Sequence, residues 1–336
     1  MQGAYGRREE MRKVILLLLS VLLLIPSCSR YENLPPENGL DIIALDFPSY
    51  DAARAVAGDI GRVRMLLPAG ADSHGYEPEP DDMIALIHAD LFVYGGGPSD
   101  HWVDNVLEGI ETPIETFKLT ENVPVILEEE TRNIFEKDAI HDHGHGEGDG
   151  HEHGEHDHCH HDEHVWTSLE NMISIVDRLS DRMSEMDPEN AGQYRANADG
   201  YISEIDEIRL GFVDLFSTVE DPFILVADRF PILYFVKEFG IDYVSAFPGC
   251  AENSEPSMKT VKALIDEVEE RDLKYVFHME NTNEMLADVI CDETGCEKVQ
   301  FYSIHGTTKR DFDDGLTYVD FMQRNLDSMR KVFGNE

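Results

Sequence analysis

Histidine is concentrated in one stretch of the chain. Residues 141–164 consist of ten histidines, eight acidic residues, five glycines and one cysteine. Imidazole, thiolate and carboxylate groups are ligands for zinc and for copper or nickel. None of these residues builds a hydrophobic core, so we predict an unstructured loop that binds metal weakly at several sites. The expected loop ligands are His141, His143, His145, His151, His153, His156, His158, Cys159, His160 and His161.

The alternative for this stretch is a charged loop that serves only solubility. Solubility does not require ten imidazoles among 24 residues, so we favour metal binding. Because an unstructured loop does not preorganise its ligands, a tight site requires residues on rigid elements. Deleting residues 141–163 while keeping His164 should therefore remove weak sites and spare the tight one.

Three histidines are candidates for such a tight site. His74 lies in a loop that follows a predicted strand at residues 63–67. Open α/β sheets bind their ligands at the carboxyl ends of the strands. His164 lies where the histidine stretch returns to apolar sequence, and His305 follows another predicted strand.

The elements around these histidines alternate between strand and helix. The alternation covers residues 40–109 and resumes after residue 222, which predicts two parallel sheets covered by helices. Residues 168–218 instead carry apolar residues at helical spacing, and the second helical run, about 189–216, would be about 40 Å long. A terminal helix is expected at 313–333. The predicted fold class is α/β, with two lobes of parallel sheet covered by helices on either side of a long helical segment.

Charge and composition limit the possible partners. Acidic residues outnumber basic ones 68 to 27 among 336 residues, for a formal net charge of −41. Such a polyanion is repelled by phosphate backbones, which excludes nucleic acid as a partner, and it attracts cations. Apolar residues make up 42% of the chain, enough for packed cores.

The N-terminus has the pattern of a bacterial secretion signal. Residues 1–27 combine a basic start with a 12-residue apolar run that is too short to span a bilayer comfortably. The run ends in Ile-Pro-Ser-Cys, which resembles a lipobox and predicts lipid attachment at Cys28; an ordinary signal peptide with an incidental cysteine is the alternative. Residues 28–39 read as a tether. We expect a protein held at the outer face of a bacterial cell membrane.

The remaining cysteines permit a disulfide in that compartment. Cys291 and Cys296 are close enough in sequence to bridge a helix end. Connectivity cannot be deduced from sequence alone, so this pairing stays open.

Several of these segments together resemble a known family. The loop 67–78 and the histidine stretch that ends in His-Val-Trp at 164–166 are similar to metal-ligand segments of the zinc- and manganese-binding lipoproteins of bacterial ABC importers. The helix at about 189–216 resembles their rigid linking helix, and Glu-Pro-Ser at 255–257 resembles part of their C-terminal lobe. The resemblance covers about residues 40–336. It implies an N-terminal lobe at 40–167, a helical segment at 168–218 and a C-terminal lobe at 219–336. The long rigid helix would join the two lobes, with the metal site between them.

The resemblance also implies a ligand set. His74 and His164 match the first two metal ligands of the family. A third histidine is usual on the first strand of the C-terminal lobe, but residues 227–231 here read Ala-Asp-Arg-Phe-Pro. This departure resembles a subgroup whose C-terminal lobe has a Ser-x-His segment, and we infer that His305 supplies its ligand.

The fourth ligand position stays open at this stage. Asp228, Glu280 and Cys250 are candidates, and each also has a purely structural interpretation: a helix-capping aspartate, a strand-end carboxylate and a buried thiol. Two or three imidazoles favour zinc over manganese, which prefers carboxylate and water ligands.

The function implied by the resemblance is capture of zinc outside the cell and delivery to an ABC permease and its ATPase by a monomeric binding protein. A secreted zinc hydrolase is one alternative, although the chain has no His-Glu-x-x-His and no Gly-x-Ser-x-Gly. A surface metal buffer or adhesin without a transporter is another.

Overall fold

The structure, a computed structural model, describes residues 39–71, 76, 78–110, 113–127, 161–247 and 256–334. The predicted signal peptide, His74, Cys250 and the histidine stretch up to residue 160 lie outside these ranges, as does Cys28. Both lobes belong to one compact unit, Pro35–Glu336. Within the ranges given, no helix has the length and apolar character that crossing a membrane requires.

The N-terminal lobe contains a four-stranded parallel sheet. Its strands are β1 (Asp41–Ala44), β2 (Arg62–Met65), β3 (Leu91–Tyr94) and β4 (Glu115–Lys118). Its helices are α1 (Phe47–Ala57), α2 (Pro80–His88) and α3 (His101–Gly109). The strand order is β2-β1-β3-β4, and the central strands β1 and β3 are fully buried. Buried strands of this kind, apolar apart from Asp41 at the start of β1, are typical of parallel sheets covered on both faces.

The C-terminal lobe repeats this arrangement. Its strands are β5 (Phe223–Val226), β6 (Asp242–Ser245), β7 (Tyr275–Met279) and β8 (Glu297–Phe301), in the parallel order β6-β5-β7-β8. Its helices are α6 (Leu233–Phe239), α7 (Met258–Glu270), α8 (Met285–Thr294), α9 (Lys309–Asp313) and α10 (Tyr318–Phe333). In each sheet the chain first adds a strand on one side of its first strand and then crosses to the other side. The switch point lies between β1 and β3 in one sheet and between β5 and β7 in the other, where loops at the carboxyl ends can form a ligand site.

Two antiparallel helices connect the lobes. They are α4 (Leu169–Met186) and α5 (Ala191–Phe216), and α5 is about 39 Å long at 1.5 Å per residue. The buried carboxylate of Asp51 on α1 accepts hydrogen bonds from the hydroxyl of Tyr201 on α5 and from the backbone N–H of Tyr318 on α10. One buried acceptor therefore fixes helices from the N-terminal lobe, the connection and the C-terminal lobe against each other.

The predicted fold class is confirmed, with two local differences. The edge strand β4 is not predicted, because Phe117 is the one buried residue in its four-residue sequence. The predicted terminal helix is wrong in its first turn, since α9 and α10 are separate. Gly315 between them has φ +75°, and Thr317 and Asp320 form a capping box that starts α10.

Cys291 and Cys296 form a disulfide. Cys291 lies in the last turn of α8, and Cys296 precedes β8, with Gly295 in the left-handed conformation between them. The bridge therefore closes the tight turn that returns the chain to the sheet.

Candidate metal centre

A cavity of about 140 Å³ lies where loops of the two lobes meet. From the N-terminal lobe it is lined by Gly70, Ala71 and His164. The lining residues of the C-terminal lobe are Asp228, Arg229, Pro231, Met279, Glu280, Asn281, Thr282, Ser303, His305 and Gly306. Two of the histidines expected to share a site therefore lie on one cavity, and they come from different lobes.

His164 belongs to a buried segment rather than to a loose one. The sequence predicts an unstructured stretch through residue 164, but residues 162–164 are at most 3% exposed. The N–H of Asp162 donates to the carbonyl of Ile126, 2.9 Å, and the hydroxyl of Tyr234 donates to the carbonyl of Asp162, 2.7 Å. The prediction is wrong for these residues, because contacts from both lobes order them.

Asp162 sets the orientation of the His164 ring. Its Oδ1 accepts from the backbone N–H of His164 at 2.9 Å and lies 3.1 Å from the ring Nδ1. A proton on Nδ1 leaves Nε2 with a free lone pair, which is the form that binds a metal. Burial by itself would lower the pKa of His164, but the charge and hydrogen bond of Asp162 raise it above its ordinary value, while Arg229 acts to lower it.

His305 is presented by a strained loop after β8. Ile304, directly before it, has φ +62°, a conformation that costs a β-branched residue on the order of 1–3 kcal/mol. The carboxylate of Glu280 compensates by accepting from Ser303 N–H at 2.7 Å, Ser303 Oγ at 2.8 Å and Ile304 N–H at 2.8 Å. Glu280 thus holds the loop that carries His305, and burial raises its pKa.

Trp166 joins the two histidine segments. Its Nε1–H donates to the carbonyl of Ser303 at 2.9 Å, across the lobes. Its ring centroid lies 5.5 Å from that of His164 and 5.2 Å from that of His305, and the two imidazole centroids are 5.0 Å apart. The buried indole therefore supports both imidazoles at once.

The loop that contains His74 starts at the same cavity. The N–H of Gly70 donates to the carbonyl of Thr307 at 2.7 Å, two residues beyond His305. His74 itself lies outside the described residues, so its predicted role stays a prediction.

A family model for the zinc-uptake complex component A, a periplasmic protein also called ZnuA, matches residues 42–332. The chain belongs to the ZnuA family. The N-lobe loop, the His-Val-Trp segment, the linking helices and the C-lobe strands all fall within the match.

Individual relatives agree with the ZnuA family assignment. The zinc-binding lipoprotein AdcA of Streptococcus pneumoniae is 26% identical over 330 residues, which cover 97% of this chain and 62% of AdcA. The chain therefore spans about three fifths of the length of that relative. The high-affinity zinc uptake system protein ZnuA of Bacillus subtilis is 25% identical over 295 residues, 87% of this chain and 86% of that protein.

The fold agrees with a solved structure as well. The zinc-bound ZnuA-like domain of Streptococcus pneumoniae AdcA superposes with a TM-score of 0.71 at 22% identity, covering 89% of this chain and all of that domain. This likeness concerns the fold alone.

Two of the candidates for the fourth ligand are engaged in hydrogen bonds. The carboxylate of Asp228 accepts hydrogen bonds from the backbone N–H groups of Arg229 and Met279 and from the hydroxyl of Thr282. Glu280 carries three hydrogen bonds from the His305 loop, as described above. Both still line the cavity, and Cys250 lies outside the described residues.

One residue of the centre is absent from the sequence predictions. Potential ligand atoms of Glu163, His164 and His305 all lie within 4.8 Å of one another, the one such group of three or more found in the described part of the chain. In the sequence, Glu163 is one of the eight acidic residues of the stretch 141–164. Its position directly before His164 was the available signal. Of the auxiliary loop ligands, only His161 is described; its backbone pairs with Leu127.

Proposed function

We propose that the chain is the extracytoplasmic zinc-binding component of an ABC importer, which captures the ion and delivers it to a permease for import. The observation that supports this most is the convergence of His164 and His305 from separate lobes, with ring centroids 5.0 Å apart on one cavity. Membership of a zinc-uptake family points to the same cargo.

The proposed ligands are His74, His164 and His305. Neutral imidazoles suit zinc, which takes about four ligands in tetrahedral arrangement, and they suit manganese less well. Zinc is the cargo of this site, so the protein's task is tight and reversible binding. We infer no catalytic role for the chain.

The proposal includes the location and partners of the protein. Lipid attachment at Cys28 would hold a monomer at the outer face of the cell membrane, close to the permease and its ATPase. The excess of acidic residues and the histidine stretch would raise the local concentration of zinc near the site.

Zinc uptake by cells tests the proposed function. Deleting the gene should lower the rate of uptake of radioactive zinc in chelator-treated medium, and a copy with both His164 and His305 replaced by alanine should fail to restore it. Unchanged uptake in the deletion strain, together with tight zinc binding by the purified protein, would favour a surface metal buffer.

The pH dependence of zinc binding should depend on Asp162. Zinc needs neutral His164, and its raised pKa means that affinity falls as the pH drops through a value above 6.5. Asp162→Asn removes the group that raises this pKa, so the fall should move to lower pH. At neutral pH the affinity should fall by about 10- to 100-fold, the usual loss for a group that orients a histidine ligand.

Competitive zinc titrations between pH 5 and 8 measure both effects. Asp199→Asn, at an exposed position on α5, is the matched control and should behave as the parent. Equal pH profiles for the Asp162 variant and the parent would show that this carboxylate does not act on His164.

Excising the histidine stretch should separate weak from tight binding, provided that the excision ends before the buried segment. Removing residues 141–160 should eliminate the weak zinc equivalents and leave one tight equivalent with affinity within about threefold of the parent. Removing residues 141–163 instead also deletes buried Asp162 and Glu163, so we expect tight binding to be lost. This outcome differs from the expectation from sequence that deleting residues 141–163 spares the tight site.

Isothermal titration of the two deletion variants provides the comparison. If the shorter deletion abolished tight binding, the primary site would lie in the histidine stretch itself.

A further inference from the structure

The carboxylate of Glu163 lies beside the two imidazoles of the centre and is 3% exposed. One of its oxygens, one ring nitrogen of His164 and one ring nitrogen of His305 lie within 4.8 Å of one another. Ligands about 2.1 Å from a tetrahedral ion are about 3.4 Å apart. Small side-chain rotations would bring these three atoms to that spacing around one ion.

The chain holds this carboxylate by contacts that leave it able to bind a cation. The N–H of Ser99 donates to Oε2 at 2.9 Å, and the Ser99 hydroxyl donates to Oε1 at 2.5 Å. Each oxygen keeps acceptor capacity, because a carboxylate has about four lone-pair sites. Carboxylates that ligate metals are commonly oriented by hydrogen bonds of this type.

Gly97 provides the space that Glu163 occupies. A Cβ at this glycine would lie 2.1 Å from Cβ of Glu163 and 2.4 Å from its Oε2. Any larger residue at 97 would push the whole glutamate aside, since the closer contact is with its rigid Cβ. This gives one glycine of the Gly95-Gly96-Gly97 sequence a role in the centre.

The electrostatic surroundings also favour a cation at this position. Burial first, and partly the charge of Glu163, raises the pKa of Asp46 to about 6. Burial and the charge of Asp46 raise the pKa of Asp100, and Glu163 contributes again. Three acidic side chains are thus close enough to repel one another, and a divalent ion bound by Glu163 would reduce that repulsion.

We propose that Glu163 is a direct oxygen ligand of the ion held by His164 and His305. The assignment rests on the proposed zinc site. It makes the centre a mixed nitrogen and oxygen site with one anionic ligand. Asp228 and Glu280 then serve to hold loops rather than to bind metal.

Glu163→Gln tests the assignment, because it keeps the size of the side chain and removes its charge. Zinc affinity should fall by at least about 10-fold, and the visible absorption of the cobalt-loaded protein, which reports the number and type of ligands, should change. Glu170→Gln, at an exposed position on α4, is the matched control and should alter neither quantity.

The outcomes separate this assignment from the proposed function. Parent-like affinity and an unchanged cobalt spectrum in Glu163→Gln would overturn the assignment while His164→Ala and His305→Ala still lost zinc. Tight binding by both alanine variants would instead overturn the zinc site. Should Glu163→Gln not fold, Glu163→Asp keeps the charge and shortens the side chain. Its cobalt spectrum should differ from that of the parent, and an identical spectrum would exclude a Glu163 ligand.

Discussion

Replacing His305 by alanine should lower the zinc affinity of the protein by at least about 100-fold. Groups that merely orient a ligand contribute about 10- to 100-fold, so loss of the ligand itself should exceed that range. His305 is the histidine that the C-terminal lobe contributes to the lining of the cavity. Its loss would leave the ion bound from one lobe.

The same substitution gives a test of shared binding. If His164 and His305 hold one ion, the losses in His164→Ala and His305→Ala should be far from additive in the double variant. Competitive chelator titrations measure all three, and His88→Ala, exposed at the end of α2, is the control. Parent-like binding by His305→Ala would contradict the assignment and move attention to Asp228 and Glu280.

Replacing Trp166 by alanine should greatly lower the free energy of unfolding of the metal-free protein. The side chain is 1% exposed and is the largest of the fully buried residues in the described ranges. Truncating such a residue typically costs about 3–5 kcal/mol in the free energy of unfolding. The hydrogen bond from its Nε1 to the carbonyl of Ser303 is lost as well, so the connection between the lobes should weaken.

Urea unfolding of the metal-free protein, followed by circular dichroism, measures this loss without stabilisation by bound zinc. Trp166→Phe is the comparison, because it keeps much of the apolar packing and loses the indole N–H; its loss should be clearly smaller. A cost below about 1 kcal/mol for Trp166→Ala would show that the segment 162–167 contributes little to the packing between lobes.

Much of the fold could be predicted because its signals are local. The buried strand β3 is an apolar run, β1 is apolar after Asp41, and α4 repeats Leu169, Met172, Val176 and Leu179 at helical spacing. The break between α9 and α10 was missed because it depends on Gly315 and a capping box, which are short-range features inside a helix-like pattern. The edge strand β4 was missed because one buried residue gives no periodicity.

The centre was predictable only in part, since its geometry depends on residues far apart in sequence. A histidine after a strand indicates His305, but nothing near Ile304 predicts its left-handed conformation, which Glu280 supports from 24 residues away. Likewise, the composition of residues 141–164 does not reveal that Asp162, Glu163 and His164 at its end are buried. The contacts that order Asp162 come from Ile126 and Tyr234.

The most direct measurement is anomalous diffraction at the zinc edge from crystals of the protein loaded with one equivalent of zinc. We expect one dominant peak in the cavity, about 2.0–2.2 Å from the Nε2 atom of His164 and a ring nitrogen of His305. We also expect an oxygen of Glu163 at a similar distance. A dominant peak away from both His164 and His305 would contradict a zinc site shared by the two lobes.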